Sequence, residues 1–285
     1  MKLYNAELKK NKSKTDVFKH FAITPSACAN RVEGMFTSQQ RCTIAYDGRV
    51  DMRDDSNRII GSKTLQEHLV QFSVHASDYA ISTYDVDIKK SLRLNDLWDD
   101  DPIASGGLGI VSEASISSKE FNELKVLFGP FKNAWDFKQV PQYYSFNDIK
   151  TLKRRYKTNK IYQNEYAKRK NRARVTNDAF SPELELIWLD LTLKLRNWCI
   201  EKGYDSFVYS NTKEGTGEDS YVCLLPNQSQ EIDGSLFFLA EKYEQEAPGK
   251  VLKHVKGCLN PNMPIKVIHA LWAGEAPLSY WEELR

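Results

Sequence analysis

The stretch Gly203–Gln228 reads GYDSFVYSNTKEGTGEDSYVCLLPNQ. Ser206–Asn211 and Ser220–Leu225 are rich in β-branched and aromatic residues. The polar, glycine-bearing segment between them has the composition of a hairpin connection, so the stretch predicts two antiparallel strands. Just before it, Pro182–Lys202 (PELELIWLDLTLKLRNWCIEK) predicts the clearest helix of the chain. Ser181 can cap it, Pro182 suits its first turn, acids lie early and bases late, and Gly203 ends it. Leu184, Ile187, Trp188, Leu191, Leu195 and Trp198 recur at helical spacing and predict a core-facing stripe.

Working outward, Asp16–Thr24 (DVFKHFAIT) predicts a strand bounded by Pro25, Ser26–Val32 a short helix, and Gly34–Thr37 a second short strand. Arg49–Lys63 is polar and predicts loop, and Thr64–Phe72 a helix. Tyr79–Leu94 alternates and predicts a strand followed by a turn. The DLWDDDP and SGGLG runs after it have loop composition. Ser117–Phe128 opens with a helix-start pattern. Near the C-terminus, Ser235–Gln245 continues the chain and Val267–Trp272 predicts a last strand. Short strands mixed with a few helices, and no internal repeat, point to an α+β fold. Met1–Thr15, polar and lysine-rich, predicts a flexible arm. The remainder, 16–285, is expected to form one domain with a basic insertion near 150–175 and an extension after 234.

Composition narrows the class. The 285 residues are 41% hydrophobic and 27% charged, as in an ordinary soluble globular protein, and the formal net charge of +2 supplies no global basic field. Five cysteines at wide, irregular spacings include no C-x-x-C pair, so reduced thiols and no metal site are expected. No run of apolar residues is long enough to span a bilayer, and the N-terminus lacks the apolar core of a signal peptide. Action in a cytoplasm, without a membrane partner, is the expectation; injection into a host cell leaves the same composition.

Three short runs, Gly203-Tyr204-Asp205, Ser220-Tyr221-Val222 and Pro226-Asn227-Gln228, together resemble the C-terminal active-site strand pair of ADP-ribosyltransferases of the diphtheria-toxin and poly(ADP-ribose)-polymerase class. The similarity is to the small versions found in phage and mobile-element proteins of bacteria. It covers the strands around Asp16–Tyr46, Tyr79–Leu94 and Pro182–Gln228. It implies a split antiparallel β-sheet core with flanking helices, NAD as substrate, and transfer of ADP-ribose to a macromolecular acceptor, protein or nucleic acid, by a bacterial or phage toxin or effector. The competing readings are an unrelated hairpin, or a degenerate transferase fold acting as a non-enzymatic binding module. A narrower variant is an NAD glycohydrolase, in which water is the acceptor.

The resemblance also implies site residues. His20 occupies the first-strand position, where a histidine positions the adenosine-side ribose; Phe21 follows it where mobile-element members carry glycine. Tyr46, with Tyr79 as its competitor, is the tyrosine that stacks on nicotinamide. The polymerase-type glutamate position falls on Ser220, which carries no charge. Strand alternation puts Glu218 on the same side as Ser220, so Glu218 is the expected essential acid and Ser220 a cofactor contact. Glu214 and Asp219 are its loop neighbours. The missing glutamate argues against chain-elongating polymerase activity.

Finally, Lys150–Arg174 carries eleven Lys and Arg against one acid, Glu165, with Tyr156, Tyr162 and Tyr166 interleaved. Such a run can follow a phosphate backbone and stack bases, or form a solvated helix face.

Overall fold

The computed structural model describes residues 1–9, 17–25, 27–28, 31–32, 35, 41–44, 49–54, 56–64, 67–68, 71, 78–95, 103–132, 143–176, 180–212 and 217–236. Ten strands are present among these: β1 (Lys2–Leu8), β2 (His20–Ala22), β3 (Cys42–Ile44), β4 (Arg49–Arg53), β5 (Ile59–Thr64), β6 (Tyr79–Val86), β7 (Ser91–Arg93), β8 (Ser206–Ser210), β9 (Asp219–Cys223) and β10 (Ser229–Leu236). Four helices, α1 (Ser118–Phe128), α2 (Phe146–Tyr156), α3 (Lys160–Thr176) and α4 (Pro182–Glu201), fall between β7 and β8. The fold is α+β.

Seven strands make one sheet in the order β10-β6-β1-β2-β9-β8-β7, and β3-β4-β5 make a second. The large sheet is mixed rather than wholly antiparallel, because β7 pairs parallel with β8. Parallel neighbours need a long crossover, and the four helices supply it. Between β1 and β2 the sheet is joined by one register pair, Tyr4↔Ala22, whereas β1 and β6 pair along seven residues. That narrow seam divides β10-β6-β1 from β2-β9-β8-β7.

The arm expected over Met1–Thr15 is, over Lys2–Leu8, an interior strand. Its polar positions have partners in the fold. Asn5 Nδ2 donates to the His20 carbonyl at 2.6 Å, and Glu7 Oε1 lies 3.3 Å from Lys19 Nζ. A strand whose polar side chains are satisfied by tertiary contacts is easily mistaken for a solvated tail. Arg49–Lys63, expected as loop, forms most of the β4–β5 hairpin. Its turn is set by Asp54, whose Oδ1 accepts from the Ser56 and Arg58 amides, and by Asn57 in the left-handed region at φ 61°. The short strand expected at Gly34–Thr37 is contradicted at Met35, which is helical; Gly34, Phe36 and Thr37 lie outside the described residues. The SGGLG run belongs to a 3-10 segment, Ile103–Ile110, kinked at Gly107 with φ 62°. Val267–Trp272 and most of Ser235–Gln245 lie outside the described residues.

Helix α4 is buried on more than one stripe. Leu186, Ile187, Trp188, Leu189, Leu191, Leu195 and Cys199 are covered, and so are Glu185, Asp190 and Thr192. Trp188 packs edge-on against Phe131 with ring centroids 5.2 Å apart. The helix lies in the main core with Leu92, Phe207 and Val222 of the sheet. The buried carboxylates are paired: Asp190 accepts from Tyr156 Oη and lies 2.7 Å from Lys194 Nζ, and Glu185 accepts from Nε and Nη2 of Arg169. Ser117 caps α1 in a reciprocal box with Glu120.

His68, in the segment after β5, is fully buried, and desolvation pushes its imidazole pKa down from 6.5 to about 4. The unfolded chain therefore binds the extra proton between those values, so stability rises with pH across that window. The expected result is an unfolding free energy that falls as pH drops from 6.5 towards 4, with His68→Leu flattening the part above pH about 4.5, where carboxylates contribute little. Urea titrations at stepped pH measure it; an equal slope in both proteins would show that His68 is not the source.

Candidate active site

Strands β8 and β9 form the hairpin predicted from Gly203–Gln228, with Ser206↔Cys223 through Ser210↔Asp219 in register. The motif residues explain themselves as fold determinants first. Gly203 ends α4 at φ 78°, a conformation that favours glycine. Asp205 accepts from the Lys89 and Lys90 amides and so fixes the turn between β6 and β7. Gln228 Oε1 accepts from the Leu224 and Leu225 amides while its Nε2 donates to the Asp87 carbonyl, and Asn227 sits at φ 61° between them. These contacts tie both ends of the hairpin to the loop after β6.

Strand β2 lies against β9 with His20↔Val222 and Ala22↔Ser220. Because alternate residues share a face, His20, Ala22, Ser220, Val222 and Tyr209 all project to one side, the helix-covered side of the sheet. The ladder continues one step beyond β9, where the Asn211 amide donates to the Glu218 carbonyl at 2.8 Å. Glu218 therefore joins this face, as alternation from Ser220 requires, and Thr24 Oγ1 donates to its Oε1 at 3.3 Å. Asp219 goes to the other face, where Arg93 binds it through Nη1 and Nη2 at 2.5 and 2.9 Å. That pairing raises the Arg93 pKa, the hydrogen bond to Asp219 being the main cause.

The result is a small constellation with a floor and a rim. Ser220, 2% exposed, accepts from Asn211 Nδ2 at 3.2 Å, and buried Tyr209 places its hydroxyl 3.5 Å from His20 Nδ1, ring centroids 6.4 Å apart. His20, Thr24 and Glu218 are half-buried around this floor. Within it are a carboxylate, an imidazole and several hydroxyls, with His20, Tyr209 and Ser220 on strands and Thr24 and Glu218 just beyond strand ends. It can present negative charge and hydrogen-bond partners to a polyhydroxylated cationic ligand.

The structure thus places His20, Ser220 and Glu218 on one face of the sheet, with His20 opposite Val222 and Glu218 beside Thr24, four residues further along. Tyr79 lies on the same face of β6 by register, but two strands away across the seam, 5% exposed. Its hydroxyl pKa is raised, mainly by desolvation, with Asp78 adding to the rise and Arg31 opposing it. Tyr46 lies outside the described residues. Tyr209, Asn211 and Thr24 were not anticipated; the signal for the first two was the Phe207-Val-Tyr209-Ser-Asn211 alternation, which puts them opposite Ser220 and Glu218. Two surface concavities lie elsewhere, one beside Asn95, Ser112 and Lys125, the other beside Met1, Asp87 and Asn227. Among the described residues no group of three or more His, Cys, Asp or Glu could hold a metal ion, and no helix is long and apolar enough to cross a membrane.

Comparison with family models, with curated proteins and with solved structures finds no match for this chain.

Proposed function

We propose that the chain is a mono-ADP-ribosyltransferase that moves ADP-ribose from NAD to a macromolecular acceptor. The observation that supports this reading is the shared face of His20, Ser220 and Glu218, residues distant in sequence that the NAD chemistry requires to meet one dinucleotide. In that chemistry the bond from ribose C1′ to the nicotinamide nitrogen breaks, and its electron pair leaves with neutral nicotinamide. The acceptor's lone pair then forms the new bond to C1′, and its proton passes to solvent. The transition state is an oxocarbenium ion, which a fixed carboxylate stabilises without rearranging.

Glu218, held by Thr24, is the group for that charge and for the ribose 2′-hydroxyl. His20 positions the adenosine-side ribose. Buried Ser220 and Asn211 shape the floor beneath the sugar, and Tyr46 takes the nicotinamide ring, a stacking contact of about 0.5–1.5 kcal/mol beyond burial, since Tyr79 at 5% exposure offers no open ring face. The mixed sheet with its seam is compatible with a transferase-like core. A bacterial or phage effector acting in a cytoplasm is the setting that the resemblance of the hairpin implies.

The test is incubation of purified protein with adenylate-labelled NAD and bacterial lysate, followed by nuclease or protease treatment. Label on protein or on nucleic acid is the expected outcome and identifies the acceptor. Release of free ADP-ribose alone converts the reading to a glycohydrolase. No turnover under any condition would leave a binding module and overturn the proposal.

A further inference from the structure

Helices α2 and α3 carry the basic run, and the structure sorts its residues by direction. Tyr156, Tyr162 and Tyr166 do not face solvent as a stacking platform. They stack on one another at 4.8 and 5.7 Å, Tyr166 meets Phe180 edge-on, and Tyr156 donates to buried Asp190. Glu165, the one acid of the run, is 4% exposed and held by Lys168 at 2.6 Å, and Arg169 is turned inward to Glu185. Acids and aromatics of the segment are thus spent on packing against α4.

From Lys150 onward, what remains outside is of one sign. The exposed positions of α3 include Lys160, Lys170, Arg172 and Arg174, together with Lys168, whose ammonium is engaged by Glu165, and they are interspersed with Gln163, Asn164, Ala167 and Asn171, with no acid among them. Lys150, Arg154 and Lys157 extend the surface along α2 and the turn. A merely solvated helix face intersperses both signs, whereas this one concentrates cations over roughly 20 Å of helix at 1.5 Å per residue. The protein as a whole is nearly neutral, so the field is local.

We infer that the outer surface of α2 and α3 binds the phosphate backbone of nucleic acid, through charge alone and without reading bases. Phe146 and Asp148 are exposed on the first turn of α2; from Lys150 to Arg174 no described aromatic ring or carboxylate is exposed, and a regular polyanion matches that row of cations. The test of this surface does not depend on turnover.

The experiment is fluorescence anisotropy of the full chain with fluorescein-labelled DNA and RNA duplexes of about 20 base pairs, titrated between about 50 and 200 mM salt. Binding is expected to weaken linearly in log–log form with a slope of about −4 to −5, corresponding to roughly five phosphates neutralised. Replacing Lys150, Arg154, Lys160 and Lys170 with Gln should reduce the slope by about 3 to 4, about one per lost phosphate contact, and weaken binding more than tenfold at low salt. Thermal melting should be unchanged, since all four side chains are exposed. Swapping Lys for Arg and Arg for Lys at the same positions should restore binding, and the duplex bound more tightly identifies the source of the phosphates. An unchanged slope in the Gln variant would overturn the assignment. So would competition by polyglutamate as strong as by duplex at equal charge, which would make the partner an acidic protein, or a single-strand preference abolished by Tyr162→Ala.

Discussion

Glu218→Gln is expected to lower NAD turnover about a hundredfold to a thousandfold, or roughly 2.7–4 kcal/mol of barrier, while the protein stays folded and still binds NAD. The amide keeps the size of the side chain and can still accept from Thr24 Oγ1, which now holds Oε1 at 3.3 Å. Only the charge that the proposed chemistry requires is removed. Ser220→Ala should cost less, about 0.5–1.5 kcal/mol, because Ser220 is buried and acts through its contact with Asn211 rather than at the rim. Measuring kcat and KM for NAD hydrolysis and transfer in both variants separates the roles. If Glu218→Gln turns over normally and Ser220→Ala is inactive, the two assignments are reversed. If neither change matters in an active enzyme, the acid lies elsewhere.

The hairpin, α1, α4 and the β6 strand were legible because each carries a local signature: alternation, a capping box, a proline-to-glycine frame around an amphipathic run. The placement of Glu218 was legible for the same reason, since period-two alternation needs no tertiary knowledge. Its separation from Asp219 followed from that alternation, and Arg93 on the rear face completes it. The β1 strand was not legible. Lys2, Asn5 and Glu7 read as a solvated tail until Lys19 and the His20 carbonyl are brought alongside. Nor were the roles of Asp205 and Gln228, whose partners are backbone amides and a carbonyl far along the chain. The tyrosines of the basic run looked available for stacking, and only the packing of α3 on α4 turns them inward.

The residue beside His20 should matter to the fold at least as much as His20 matters to chemistry. Lys19 projects to the rear of the sheet, and its ammonium lies 3.3 Å from Glu7 Oε1 on β1 and donates to Tyr84 Oη on β6 at 2.9 Å, over the face of the Tyr84 ring. Both charged side chains are well covered, 6% exposed for Lys19 and 14% for Glu7, and Glu7 Oε2 is buried with no hydrogen-bond partner. Lys19→Ala would leave that carboxylate in place without its counter-charge. The expected loss is about 3–5 kcal/mol of unfolding free energy, the scale of breaking a buried pair from one side. Lys19→Met combined with Glu7→Gln should recover much of it, because the penalty belongs to the orphaned charge and not to a missing attraction. Chemical denaturation of Lys19→Met, Glu7→Gln and the double variant forms the cycle, with Lys19→Ala measured beside it. The register explains why this pair carries so much: β1 and β2 share one pair of residues, Tyr4↔Ala22, so side chains must hold the strand of His20 across the seam. A loss below about 1 kcal/mol for Lys19→Ala, the range of a solvated pair, would show that water reaches the rear cluster and that Asn5, bonded to the His20 carbonyl, holds the seam instead.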